Sequence, residues 1–254
     1  MSLYYQDDLV TLYHGDCLEI TEWLAADVLV TDPPYGMSFI SSASKYKGKS
    51  NAVAGDHSSA VRDVALDAWG SKPGLAFGTW RVNKPTGTRL TLTWDKGASP
   101  GMGDLTLPWG LSTEEIYVLG QWPAITPGGR VREGGRPSRF PSVLRIDTLN
   151  SQALDRPDHP TPKPVSLMQL LVEKCPAGTI TDPFAGSGST LLAARNLGRQ
   201  SIGVEMEERY CEIIAKRLSQ QAFDFAPRSH PANPEMRSSG WSGTEQAFDF
   251  GDIA

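Results

Sequence analysis

Apolar and polar positions alternate through LVTLYHGD (9–16), take helical spacing in CLEITEWLAA (17–26) at Leu18, Trp23 and Leu24, and run unbroken into VLVTD (28–32). These patterns predict a half-buried strand, an amphipathic helix and a strand buried on both faces. A polar segment follows, SSASKYKGKSNAVAGDHSSA (41–60), too poor in apolar residues to be core and long enough to be a lid or a disordered loop. Next come a helical pattern, AVRDVALDAWG (60–70), and three strand-like runs: PGLAFGTW (73–80), RLTLTWDKG (89–97) and EEIYVLGQW (114–122). Residues 123–158 read as irregular and rich in Gly, Pro and Arg.

The pattern then restarts. KPVSLMQLLVEKC (163–175) is an amphipathic helix entered through a proline, GTITDPFAG (178–186) a strand and turn, and STLLAARNLG (189–198) a helix closed by Gly198. QSIGVEM (200–206) reads as a strand and ERYCEIIAKRLSQ (208–220) as a helix. Strands alternating with helices predict an α/β fold whose mostly parallel sheet is covered on both faces. From residue 222 the composition shifts to Pro, Ser and Gly with few aliphatics, which predicts a disordered tail over 222–254 behind one domain over 1–221. The tail repeats QAFDF at 221–225 and 246–250, too few copies for a solenoid.

Bulk chemistry narrows the classes. The 254 residues carry a net charge of −5, so any nucleic-acid surface must be local rather than global. Cys17, Cys175 and Cys211 form neither a CxxC pair nor a zinc spacing, and are read as reduced thiols of a cytoplasmic protein, with no metal. No apolar run approaches the ~18 residues of a membrane span, and MSLYYQDDLV lacks the features of a signal peptide.

Two stretches carry candidate chemistry. In TDPPYG the buried run ends in Asp32, Pro33, Pro34 and Tyr35. Neither proline donates a hydrogen bond and each fixes φ, so the turn is stiff and presents a carboxylate, bare carbonyls and a ring together. An exocyclic amine of a nucleobase is a poor nucleophile because its lone pair is delocalised. Asp32 and the Pro33 carbonyl, both accepting its hydrogens, would draw that lone pair toward tetrahedral geometry. Tyr35 would stack on a base taken out of the duplex. The second stretch is DPFAGSGST (182–190), between strand and helix, with Gly186 and Gly188 allowing close backbone approach and Glu205 ending the next strand. That arrangement suits a ribose-bearing ligand; a tight turn beside a surface Glu is the alternative. No G-K-[ST] follows, which argues against a P-loop ATPase.

DPPY, FAGSGST and HPTPKP together resemble the β-class S-adenosylmethionine-dependent DNA amino-methyltransferases, over about residues 9–220. The resemblance implies a Rossmann-like methyltransferase fold with permuted motif order, in a bacterial or phage-encoded enzyme acting on double-stranded DNA. It places Asp182, Phe184, Gly186, Ser187 and Gly188 around the methionine part of S-adenosylmethionine, Glu205 on the ribose, and Asp16 and Cys17 near the adenine. Asp16 reads equally as a turn cap. His159, Thr161 and Lys163 match the motif beside the methionine carboxylate; without the family they read as a proline-rich helix entry with an exposed lysine. Asp32 to Tyr35 match the catalytic tetrapeptide, and Asp in its first place favours adenine N6 over cytosine N4, although a carboxylate accepts from either amine.

Arg130, Arg132, Arg136, Arg139 and Arg145 give residues 123–150 a local excess of three positive charges, where the family keeps its target-recognition region. They are expected to clamp or read DNA, a solvated loop being the alternative. Lys45, Lys47 and Lys49 are candidates for a lid over the flipped base. QAFDF partly resembles sliding-clamp peptides, with Asp224 or Asp249 where an aliphatic belongs. Cytosine-N4 methylation, RNA methylation, an NAD-dependent oxidoreductase and a DNA-binding protein without catalysis stay open, as do monomer and homodimer, the recognition site and any paired restriction enzyme.

Overall fold

The computed structural model describes residues 2–35, 60–97, 106–123, 130–131, 137–138, 140–148, 157, 159 and 162–222. Residues 36–59 and the tail from 223, both singled out above, lie outside this set. Among the described residues, nine strands form one sheet. They are β1 (Ser2–Gln6), β2 (Val10–His14), β3 (Val28–Thr31), β4 (Gly74–Gly78), β5 (Leu90–Asp95), β6 (Thr113–Leu119), β9 (Val143–Arg145), β10 (Ile180–Asp182) and β11 (Ser201–Glu205). Their order is β1-β2-β11-β10-β3-β4-β6-β5-β9. The run from β2 to β4 is parallel, and β1 and β6 enter antiparallel. Two further short strands, β7 (Arg130–Val131) and β8 (Pro137–Ser138), pair with each other.

Side-chain alternation in β3 shows how the sheet is covered. Val28 and Val30 face helix α2 (Val165–Lys174) through Leu167, Met168 and Leu171, together with α3 (Ser189–Asn196). Leu29 faces the opposite way, onto α1 (Ala60–Trp69) and Trp23. Trp23 and Trp69 stack there with ring centroids 5.9 Å apart, a contact of about 0.5–1.5 kcal/mol beyond its burial. Helix α4 (Glu208–Ala222) packs Cys211, Ile214 and Leu218 on Val10 and Leu12. All four helices of the expected α/β alternation are therefore spent on one sheet.

Three sequence expectations change. CLEITEWLAA forms only a short 3-10 turn at Glu22–Ala25. Cys17, Ile20 and Trp23 are all buried, and the Trp23 indole donates to the Cys17 carbonyl at 2.9 Å, which coils the chain more tightly than a regular helix. The N-terminal SLYYQ adds an edge strand that the pattern did not single out. Within 123–158, read as irregular, β9 joins the sheet beside β5, with Trp94 donating to the Ile146 carbonyl at 2.7 Å.

Strands β10 and β3 are neighbours, yet the chain leaves β10 into α3 on one face and leaves β3 toward α1 on the other. Such a switch opens a crevice at the carboxyl ends of the strands, the usual ligand position in open α/β sheets. Among the described residues, no helix is long and apolar enough to cross a membrane.

Candidate active site

A cavity of about 490 Å³ opens at that switch. On one side lies the turn between β10 and α3. Gly186 and Gly188 have φ of +51° and +77°, a left-handed region that costs a residue with a Cβ. The Gly186 amide donates to Glu205 Oε2 at 2.7 Å, and the Glu207 amide to Glu205 Oε1 at 2.8 Å. Each Glu205 oxygen thus has one amide and keeps a further lone pair toward the cavity. Burial outweighs these amides and pushes the Glu205 carboxyl up to about 7. Asp182 is buried beneath the turn, accepting from Thr31 Oγ1 and Thr190 Oγ1 at 2.6 Å each and from the Phe184 amide at 3.1 Å. Burial nevertheless raises it to about 6.

Asp16 and Cys17 line the same end of the cavity. Asp16 Oδ1 accepts from the Leu18 amide at 2.8 Å, so the turn-capping contact is made. Burial pushes the Cys17 thiol up to about 12, which keeps it protonated and inert. The His159 ring lies 4.6 Å from that of Tyr210, beside Gly186, where an added Cβ would meet His159 Nε2 at 3.2 Å.

Across the cavity stands the stiff turn after β3. Asp32, Pro33, Pro34 and Tyr35 all line it. Tyr35 differs from the exposed ring expected of it: it is half-buried against the α2 side of the core, and its hydroxyl donates to Asp32 Oδ1. The other carboxylate oxygen, Oδ2, takes Lys163 Nζ at 2.6 Å. Lys163 is buried rather than exposed, and its ammonium also lies 3.3 Å from Glu114 Oε2. Lys96 holds Glu114 Oε1 at 2.5 Å. Burial alone would raise Glu114, but Lys163 and Lys96 outweigh it and hold the carboxyl below its usual range. Burial works against the Lys163 charge too, yet Asp32 and Glu114 raise its pKa, so it stays protonated.

The chain matches a family model described as DNA methylase, the N6/N4 methyltransferases, over residues 79–216. The chain belongs to this DNA methylase family. Type II methyltransferase M.ScaI of Streptomyces caespitosus is 25% identical over 259 residues, covering 86% of this chain and 84% of that protein. Two solved structures share the methylase fold. An M1.HpyAVI–SAM complex aligns with a TM-score of 0.56 at 20% identity, covering 83% of this chain and 99% of that one. The PvuII DNA methyltransferase (cytosine-N4-specific) aligns at 0.58 and 16%, covering 90% of each chain. The α/β sheet expected from the alternating pattern, and the Rossmann-like methyltransferase architecture implied by the family resemblance, are thus present.

In this methylase the residues named from sequence divide between the cavity, strand β9, where Arg145 lies 3.5 Å from Asp95, and segments outside the described residues. Asp16, Cys17, Asp32 to Tyr35, His159, Lys163, Asp182, Phe184, Gly186, Ser187 and Glu205 line one cavity, and Gly188 caps α3 just behind it. Lys163 sends its ammonium to Asp32, although the motif match placed it beside the methionine carboxylate. Lys45, Lys47, Lys49, Arg132, Arg136, Arg139 and Thr161 lie outside the described residues, and of Arg130 only the backbone is described. The cavity is also lined by residues not singled out from the sequence: Trp80, Thr93, Lys96, Leu111 and Glu114. The one available signal was a pair of acids, Glu114 and Glu115, near the start of a strand that is apolar beyond them.

Proposed function

We propose that this DNA methylase transfers a methyl group from S-adenosylmethionine to the N6 amine of an adenine flipped out of duplex DNA. The observation that carries the reading is Asp32, fixed at the end of β3, facing the glycine turn and Glu205 across one cavity. The residues suit the cofactor. Two free lone pairs on Glu205 can accept from two ribose hydroxyls, the amide-lined turn has no side chain to obstruct close approach, and about 490 Å³ is ample for a ligand of this size. When bound, S-adenosylmethionine supplies an electrophilic methyl group on a sulfonium, and the S–CH3 bond that breaks leaves its electron pair on sulfur as a neutral thioether.

The chain's own residues prepare the amine. Asp32 Oδ1 and the Pro33 carbonyl accept its two hydrogens, which localises the nitrogen lone pair toward the methyl group. As the N–C bond forms, Asp32 stabilises the positive charge developing on nitrogen, and the surplus proton leaves through Oδ1 to water. The Tyr35 hydroxyl now on Oδ1 must give way to the amine. Asp32 as the first residue of the tetrapeptide supports adenine over cytosine.

Incubating the protein with unmethylated plasmid and labelled cofactor, then digesting to nucleosides, tests this directly. N6-methyladenine is the expected product. N4-methylcytosine would reject the adenine assignment, and no labelled nucleoside at all would reject methyl transfer to DNA.

A further inference from the structure

Lys163 joins the two halves of the site. Its carbonyl accepts from Ser189 Oγ, the first residue of α3, at 2.8 Å, so its backbone is tied to the cofactor turn. Its ammonium crosses to Asp32 Oδ2 at 2.6 Å and Glu114 Oε2 at 3.3 Å, 4.9 Å from the centre of the Phe77 ring. The side chain is only 9% exposed. Charges alternate along the row Asp32, Lys163, Glu114, Lys96, each in contact with the next. A buried ammonium between two carboxylates is shared; one facing a single carboxylate gives itself wholly to it.

That sharing matters because Asp32 has two tasks for its two oxygens. Oδ2 must be held so that the carboxylate does not rotate, while Oδ1 must be available to the amine. We propose that Lys163 and Glu114 are positioning residues for Asp32: Lys163 fixes Oδ2 relative to the cofactor turn, and Glu114 draws the ammonium aside so that it leaves Oδ1 to the target amine. The inference rests on the methyl-transfer reading and gives Lys163 a task other than holding the cofactor's carboxylate. Removing the Glu114 charge lets the ammonium close over both Asp32 oxygens. Removing the Lys163 charge lets Asp32 turn freely and sets it against Glu114 with nothing between them.

The test uses the full chain, labelled S-adenosylmethionine and a DNA that the wild type methylates. Lys163→Gln and Glu114→Gln are each expected to lower kcat by about 10- to 100-fold, with cofactor Kd and the KM for DNA within about threefold of wild type. Glu114→Asp restores part of the rate. The double variant is no slower than the slower single, because both act through one carboxylate. Should Glu114→Gln fail to fold, Glu114→Asp serves in its place: it keeps the charge but shortens its reach to Lys163, and is expected to lower kcat less than Lys163→Gln does.

Three results overturn the proposal alone: Lys163→Gln weakening cofactor binding tenfold or more with kcat intact at saturation, losses that multiply in the double variant, or single variants as fast as an active wild type. A wild type that binds cofactor yet methylates no DNA overturns the methyl-transfer reading, and this inference with it.

Discussion

Gly186 gives its amide hydrogen to Glu205 Oε2 at 2.7 Å, fastening the glycine turn to the end of the neighbouring strand. The contact joins the residue that needs a left-handed backbone to the acid that would hold a ribose. Because burial lifts the Glu205 carboxyl to about 7, cofactor binding at this acid would compete with its protonation. Ribose hydroxyls donate to the anion, so below about pH 7 binding must release a proton. Affinity for S-adenosylmethionine is expected to fall as pH drops from 8 to 6, approaching tenfold per unit below the pKa. Calorimetry in buffers of different ionisation enthalpy reads both the affinity and the proton count. A flat profile would contradict the assigned role, and Glu205→Gln is expected to flatten it.

Stability follows the same groups in the opposite sense. Asp182 and Glu205, at about 6 and about 7, both sit above the unfolded range of carboxylates. Between about pH 4 and 7 the folded chain therefore binds more protons than the unfolded one, and stability falls as pH rises through that window. Melting temperature is expected to be higher at pH 5 than at pH 7.5. Below about pH 4 the trend reverses, since Asp7 and Glu114 are held low by their partners despite burial. A melting temperature that climbs steadily from pH 5 to 7.5 would refute the assignment.

Asp32→Ala is expected to lower methyl transfer by at least about 10²-fold while cofactor affinity changes little. It also leaves the Lys163 ammonium with only Glu114. The loss of stability should reach about 1–3 kcal/mol, less than for a fully buried pair because Asp32 is a quarter exposed. Denaturant melts and single-turnover assays separate the two effects. Turnover near wild type would remove Asp32 from the mechanism.

Trp80 is 66% exposed at the rim of the cavity, whereas Tyr35 is turned inward onto Asp32. On the methyl-transfer reading, Trp80 offers the exposed ring on which an extruded base would stack. Trp80→Ala is expected to reduce kcat/KM for DNA by about tenfold, the scale of one stacked base, and to spare cofactor binding. Equal kcat/KM for the two proteins would exclude the contact.

Gly188→Ala would force an L side chain to φ +77° and bring its Cβ within 2.8 Å of Ile214 Cγ1. Strain and overpacking together predict a loss of about 2–4 kcal/mol, several degrees in Tm, and weaker cofactor binding through the displaced turn. An unchanged melting curve would show that the turn adapts.

What was legible in the chain was what depends on neighbours in sequence. Periodicity marked α1 to α4 and most of the strands, since the repeat of side-chain direction is local to each element. The prolines after Asp32 and the glycines at 186 and 188 announced their turns, because backbone dihedral preference belongs to the residue itself. CLEITEWLAA misled for the converse reason: its helical spacing was real, but burying Cys17, Ile20 and Trp23 at once required a tighter path. β9 escaped notice because a three-residue strand carries too little pattern to stand out.

By itself, then, the sequence determined the α/β alternation, the stiff acidic turn and the glycine turn with its acid one strand later. Only the tertiary structure decided which charges meet. Asp32 and Lys163 are 131 residues apart, and nothing local to HPTPKP distinguishes a lysine exposed to water from one buried on a carboxylate. An ammonium can be buried only where other segments bring it compensating charge, and here the order of β3, β4, β6 and β5 brings Asp32, Glu114 and Lys96 to one end of the sheet. Packing against the core on the α2 side turned Tyr35 inward, where Asp32, three residues earlier, gives its hydroxyl a partner.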